Sequence, residues 1–305
     1  EKEGGQIPFS TFMDLALYAP GLGYYQRDHA IFGKEGDYIT AAEMPMFGKA
    51  LSLQAQEIAH SFNHDFMIME IGAGNGTLAK TILTHLKEAK SLPSKYCIVE
   101  RSERLRKLQK ERLQSFAKDC ELEWHAEIPK QPFKGLVIAN ELFDALAVHK
   151  IRLEKDAIQE WYVKPTDNGF EWALGPLSKK GLETKIQKTI ENKTNLTKPY
   201  DTEINLVQES ILQKLKQSLT QGVAIFIDYG FPASEFYHPD RRMGTLMGHY
   251  KHQALTCPLQ KVGEQDITAH VDFSKLAQDA FDAGFDILGY TTQAHYLMGL
   301  GILET

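Results

Sequence analysis

The stretch Phe66-Met67-Ile68-Met69-Glu70-Ile71-Gly72-Ala73-Gly74-Asn75-Gly76 decides the fold. Residues 66–71 form a nearly continuous apolar run, the pattern of a strand covered on both faces. Glycines at alternate positions stop it, and a helical pattern from Thr77 to Lys90 follows. Reading outward, Tyr96–Glu100 and Gly135–Ala139 repeat the buried-strand pattern, Leu122–Trp124 gives a shorter version, and Gly222–Tyr229 a fifth. Strands alternating with helices imply right-handed crossovers, hence an α/β, Rossmann-like, mostly parallel sheet with helices on both faces.

The flanks read differently. Phe9, Phe12, Met13, Ala16 and Leu17 fall at helical spacing after Ser10, the expected N-cap, and Pro20, Gly21 and Gly23 end that helix. A second helix is expected from Met46 to Ser61. From Val148 to Gly175 short alternating segments separated by turn residues predict antiparallel strands, and Ile204–Leu219 predicts a helix. A helix is expected over Phe273–Ala283, and the apolar end from Phe285 to Leu303 is expected to close the sheet with an antiparallel pair. The expected division is therefore an N-terminal helical extension or lid over 1–65, a core over 66–147 and 220–305, and an insertion over 148–219.

Composition narrows the function. With 34 Lys+Arg against 40 Asp+Glu in 305 residues, the net charge of −6 speaks against whole-chain attraction to nucleic acid or anionic membrane. Eleven basic and five acidic residues fall between 80 and 119, mostly on a helix expected over Glu103–Lys118. With Leu105, Leu108, Leu113 and Phe116 as its buried stripe, that charge reads as a solvated face. Cys97, Cys120 and Cys257 form no CxxC pair, so neither a zinc ribbon nor a disulfide framework is supported, and a reducing compartment fits best. His249 and His252 with Cys257 lack a second cluster, and no metal is expected. No run of eighteen apolar residues exists and residues 1–10 lack signal-peptide blocks, so neither membrane insertion nor secretion is expected.

The glycine turn sits where a strand meets a helix, so backbone N–H groups and the positive helix end face a ligand that approaches closely. Glu100 ends the next strand, where a carboxylate can accept both hydroxyls of a ribose. A dinucleotide fingerprint needs a third glycine, or in looser form alanine, at 77, and Thr77 stands there. The spacing is G-x-G-x-G instead, with Glu70 two residues ahead of Gly72. That pattern is similar to the S-adenosylmethionine signature of class I methyltransferases, in which the first acid lies near the cofactor's ammonium group.

Further stretches carry a more specific resemblance. They are Phe12-Met13-Asp14-Leu15-Ala16-Leu17-Tyr18 with Pro20 and Gly23-Tyr24-Tyr25, then Gly36-Asp37-Tyr38-Ile39-Thr40, then Ala139-Asn140-Glu141-Leu142-Phe143-Asp144-Ala145-Leu146. Ile227-Asp228-Tyr229-Gly230 and Gly263 to Phe273 complete the series, which spans nearly the whole chain in order. The sequence resembles the MidA-like methyltransferases, which include the mitochondrial complex I assembly-factor methyltransferase. One departure is Ala147, where the family has proline.

The resemblance implies a class I methyltransferase fold, an N-terminal extension closing over the cofactor, and, in the mitochondrial relatives, methylation of an arginine on a complex I subunit. Cofactor contacts are then expected from Glu70, Gly72, Gly74, Gly76, Glu100 and Asn140, and from Asp37 and Thr40 of the N-terminal loop. The cofactor the resemblance implies is S-adenosylmethionine, and the product S-adenosylhomocysteine.

Methyl transfer is an in-line displacement, so alignment and exclusion of water come first. A guanidinium acceptor must be held planar by carboxylates. Glu141, at the carboxyl end of the fourth strand, is similar in position to the first substrate-gripping glutamate of protein arginine methyltransferases. Asp144, three residues on, is a second catalytic candidate. Asp266 and His270 add two more, because a histidine between acids can accept a proton or position a substrate; the alternative there is that Thr268 or Asp272 caps the next helix. The expected partner is a protein with a target arginine, with a homodimer left open and nucleic acid and membrane insertion not expected. A cytoplasmic location follows for a bacterial chain and the mitochondrial matrix for a eukaryotic one. Rival readings are a non-catalytic assembly factor, a small-molecule or RNA methyltransferase, and NAD-dependent oxidoreduction, which Thr77 disfavours.

Overall fold

The apolar runs pair side by side. In the computed structural model, which describes residues 5–28, 31, 33, 36, 37, 40–63, 65–190 and 196–302, the chain divides into two units. Of the residues read above, Tyr38, Ile39 and Leu303 lie outside the described residues. One unit comprises Glu1–Arg27, Phe143–Ser210 and Tyr229–Asp282, and the other Asp28–Leu142, Ile211–Asp228 and Ala283–Thr305. The N-terminal stretch read as one extension is thus shared between the two.

The second unit holds the parallel sheet, in the order Leu219–Ile227, Phe133–Asn140, Met67–Ile71, Lys95–Val99, Glu121–His125. From Met67–Ile71 the chain first builds outward to Glu121–His125, then returns to add Phe133–Asn140 on the other side. The strand order therefore reverses between Met67–Ile71 and Phe133–Asn140, and in open α/β sheets ligands bind outside the carboxyl ends of the strands at that reversal. Side-chain alternation splits the core into two layers. Ile68, Ile98, Leu136 and Ile138 pack with Leu51 of the helix Pro45–Ser61 and with Leu78, Ile82 and Leu86 of the helix Thr77–Glu88. Met69, Val99, Val137 and Ala139 pack on the other face with Ile211 and Leu215 of the helix Val207–Ser218.

The five-stranded sheet of the first unit is antiparallel. His149–Leu153 pairs with both Ile158–Thr166 and Tyr200–Ile204, and Ile158–Thr166 also pairs with Gly169–Gly175 and with the short strand Ile7–Pro8. The helix Phe9–Tyr18 buries Phe9, Phe12, Met13, Ala16 and Leu17 as its spacing predicts. Phe9 meets Trp172 at 5.0 Å between ring centroids and Phe12 meets Phe170 at 5.4 Å, so packing accounts for the aromatic residues of these strands. A small sheet places Met247–Tyr250 between Gln253–Leu255 and Asp266–Thr268.

Several expectations need correction. Pro8, not Ser10, occupies the N-cap of Phe9–Tyr18, with no side-chain capping bond. The basic helix ends at Leu113 and tightens into a single 3₁₀ turn, Gln114–Phe116, short of Lys118. Tyr200–Ile204 is a strand, and the helix begins only at Val207, where Asn205 Oδ1 accepts from the N–H of Val207 at 3.0 Å. The closing antiparallel pair is not found among the described residues. Ile287 and Leu288 are 48% and 80% exposed instead, and Thr292 caps a short helix, Gln293–Gly299.

Candidate functional site

The glycine turn lies at the sheet's reversal point. Gly72, Gly74 and Gly76 have φ of +74°, +52° and +80°, left-handed values that cost an L side chain strain and leave the backbone open to close approach. A Cβ on Gly76 would lie 3.3 Å from Cγ of Gln109, so the turn is also packed from behind. Asn75 Oδ1 accepts from the N–H of Thr77 at 2.9 Å and starts the helix. Its Nδ2 donates to Glu43 Oε1 at 2.8 Å, tying the N-terminal loop to the turn.

Two buried carboxylates flank this turn. Glu70 shares the apolar layer with Ile68 and Ile98, and its Oε2 accepts from the Tyr96 hydroxyl at 2.6 Å. Burial drives its pKa up to about 7, with Glu100 adding repulsion and the Tyr96 bond opposing. Glu100 Oε1 accepts from the N–H of Ser102 at 2.8 Å, and its Oε2 from Gln109 Nε2 at 3.4 Å. Burial again raises its pKa to about 7, against those two bonds and the Arg106 and Arg101 charges. Gln109 Nε2 also donates to the Gly74 carbonyl at 2.8 Å, so one fully buried amide joins the turn to the second acid.

Gln109 and Tyr96 were not anticipated as site residues. Gln109 lies four residues from both Leu105 and Leu113, and a polar residue on that apolar line was the available signal. Tyr96 offered only its place on the strand beside Glu70.

At the same edge, Asn140 ends its strand with Oδ1 buried and without a hydrogen-bond partner among the described residues. Glu141 follows with φ +50°, and its N–H donates to the Ile227 carbonyl at 2.8 Å. A left-handed non-glycine residue is uncommon, and such strain concentrates at functional sites. No helix follows Asn140 and Glu141, so helix capping does not explain them. Asp37 is buried with its N–H bonded to the Ile31 carbonyl, while Thr40 Oγ1 caps the 3₁₀ turn Ala41–Glu43.

The remaining candidates belong to the first unit. Asp144 is buried, and its carbonyl accepts from the N–H of Ala269 at 2.9 Å, which brings it beside the Asp266–His270 segment. Asp266 accepts from the Tyr25 hydroxyl at 3.0 Å on each oxygen. His270 borders a small pocket with Glu203, Asn205, Asp272 and Lys275. Its Nδ1 is buried without a hydrogen-bond partner among the described residues, its ring centroid is 5.2 Å from that of Phe231, and burial and Arg241 lower its pKa. Asp272 Oδ1 accepts from the N–H of Lys275 at 3.0 Å, the helix-capping role open to it from sequence.

A turn of left-handed glycines between two buried acids, at the reversal of a parallel sheet, suits a nucleoside-bearing ligand. Residues 50–291 match the model of a family of S-adenosyl-L-methionine-dependent methyltransferases. The chain belongs to this family. It is similar to a Burkholderia thailandensis member of the COG1565 superfamily whose crystal structure holds S-adenosyl-homocysteine, at 35% identity and a TM-score of 0.89, over 99% of this chain and 79% of that one. It is 28% identical to the mitochondrial protein arginine methyltransferase NDUFAF7 of Xenopus tropicalis, over 99% of this chain and 73% of that protein. The Rattus norvegicus protein of that name is also 28% identical, over 99% and 72%. The chain is thus an S-adenosylmethionine-dependent methyltransferase of mixed α/β fold with a parallel sheet, as its glycine turn predicts. Among the described residues, no helix is long and apolar enough to cross a membrane.

Its residues fit the cofactor on their own chemistry. Gly72, Gly74 and Gly76 put no Cβ on the turn at their positions, the Asn140 oxygen can accept a hydrogen bond, and both acids can turn anionic near neutral pH beside a cationic ligand.

Proposed function

We propose that this methyltransferase modifies an arginine of a protein, with Glu141 gripping the guanidinium group. The observation that carries the reading is Glu141 itself, a carboxylate on strained left-handed backbone at the carboxyl end of Phe133–Asn140, one residue beyond the unpartnered Asn140 oxygen. The mitochondrial relatives are named protein arginine methyltransferases, which supports the same acceptor.

When bound, S-adenosylmethionine supplies a methyl group made electrophilic by its sulfonium. Gly72, Gly74 and Gly76 receive the cofactor against the backbone, Glu100 accepts its ribose hydroxyls, and Asn140 accepts one further hydrogen bond. Glu70 sets the charge balance near the ammonium end, held in place by Tyr96. Asp37 and Thr40 support the cofactor from the N-terminal loop.

Glu141 holds the guanidinium planar and fixes which nitrogen faces the methyl group. Asp144 supplies a second negative charge for the cationic acceptor. His270, kept neutral by its surroundings, accepts the proton released when the nitrogen gains a methyl group. Asp266 positions Tyr25. The acceptor protein is proposed to be a respiratory complex I subunit, in the mitochondrial matrix of a eukaryote or the cytoplasm of a bacterium.

Replacement of Glu141 tests the reading. Glu141→Gln is expected to abolish methyl transfer to protein while leaving S-adenosylhomocysteine affinity unchanged. Wild-type turnover in that variant would remove the gripping role.

A further inference from the structure

The second unit carries a side-chain cluster that the methyltransferase reading does not use. Lys95–Val99 and Glu121–His125 are adjacent parallel strands whose register pairs Cys97 with Glu123 and Val99 with His125. Side chains alternate along a strand, so Cys97, Glu123 and His125 emerge on one face, opposite to the face that carries Tyr96 and Ile98. A Cys97 Sγ, a Glu123 oxygen and a His125 ring nitrogen all lie within 4.8 Å of one another. His125 Nε2 is 3.3 Å from Glu123 Oε2.

We propose that Cys97, Glu123 and His125 form a binding site for one borderline-soft divalent cation of the zinc class. A thiolate, an imidazole and a carboxylate are the donors such ions take, whereas calcium and magnesium take oxygen. Three protein ligands leave the fourth tetrahedral position to water. The ligand atoms must draw in from their present separations, and the side chains have that freedom, because Glu123 and His125 each keep 35% of their side-chain surface in solvent. Cys97 is fully buried and forms the floor, so an ion enters from the rim formed by the other two. On binding, the sulfur–metal bond replaces the S–H bond and the proton leaves to solvent.

Lys95 sharpens the arrangement. Its Nζ lies 2.6 Å from Glu123 Oε1 and 3.3 Å from Glu121 Oε1. It thereby fixes one oxygen of Glu123 and leaves Oε2 on the side of His125. The site also has a structural consequence. The N–H of Glu100 donates to the His125 carbonyl at 2.9 Å, so an ion clamping these strands would brace the edge from which Glu100 projects. The sequence alone pointed elsewhere, because Cys97, Glu123 and His125 are 26 and two residues apart and match no linear ligand motif.

Cobalt titration tests the proposal on the full chain, prepared without a metal-affinity tag and stripped by chelator. Co²⁺ is expected to bind one equivalent per chain and to produce a near-ultraviolet thiolate-to-cobalt charge-transfer band, which Zn²⁺ then displaces. Cys97→Ser is expected to abolish the band, and His125→Ala to weaken binding by about tenfold or more. Cys120→Ser is expected to retain it, which separates this thiol from the chain's other buried one. Circular dichroism checks that each variant is folded. No charge-transfer band with the folded wild-type chain, or an undiminished band in Cys97→Ser, would overturn the site. S-adenosylhomocysteine affinity, measured on the same stripped protein, reports on the methyltransferase reading separately.

Discussion

Acidification from about pH 8 to about pH 6 should weaken S-adenosylhomocysteine binding by one to two orders of magnitude. Glu70 and Glu100 are both buried, and burial lifts each to a pKa of about 7. A carboxyl group with that pKa is about 90% ionised one unit above it and about 10% one unit below. If binding requires the anion, each group contributes about a factor of ten, or about 1.4 kcal/mol. Stability runs the other way. A carboxyl whose folded pKa exceeds its unfolded value of 4.5 contributes stability that is fully present below 4.5 and lost as pH rises through about 7. The ligand-free protein should therefore lose stability over the window in which it gains cofactor affinity. Calorimetric titration across that range, with Glu100→Gln as control, measures both the affinity and the loss of one titration step. An affinity that does not change between about pH 6 and about pH 8, or a pH slope untouched by Glu100→Gln, would refute the reasoning.

Other perturbations test the site's supports. Gln109→Leu removes the donor to the Gly74 carbonyl and to Glu100, and should weaken S-adenosylhomocysteine binding by about 1–2 kcal/mol, read by the same calorimetry. Gly76→Ala must hold φ +80° with its new Cβ 3.3 Å from Gln109, and should lower stability in urea by about 1–2 kcal/mol as well as reduce affinity. In the first unit, Glu160 and His149 are fully buried and 2.6 Å apart. His149→Leu removes the partner of Glu160 Oε1, leaves Oε2 its bond from the Ser178 N–H, and should cost about 1–3 kcal/mol of folding stability, measured by denaturant unfolding.

The parallel sheet was legible because strands buried on both faces are written as unbroken apolar runs, and Glu70 to Gly76 marks the crevice directly. Tyr200–Ile204 was hidden for a physical reason. Its inward acids, Asp201 and Glu203, are buried against Arg152 and Lys150 of the neighbouring strand, and charges satisfied by a distant partner look like loop in a local reading. Gln109 was lost in a helix whose charge drew attention to its solvated face, though the buried amide is what links turn and acid. The apolar end failed as a strand pair because Gly289 interrupts it and Thr292 starts a helix. For Asp266, sequence supplied the residue but not its hydroxyl partner Tyr25, 241 positions away.

The identity of the methylated product tests the central claim most directly. The purified chain would be incubated with methyl-labelled S-adenosylmethionine and a hypomethylated extract, followed by protease treatment, acid hydrolysis and chromatography of the labelled material. The account predicts label that protease renders small and that elutes as methylarginine, absent with Glu141→Gln. Label in protease-resistant small molecules or RNA, or in a methylated residue other than arginine, would contradict it.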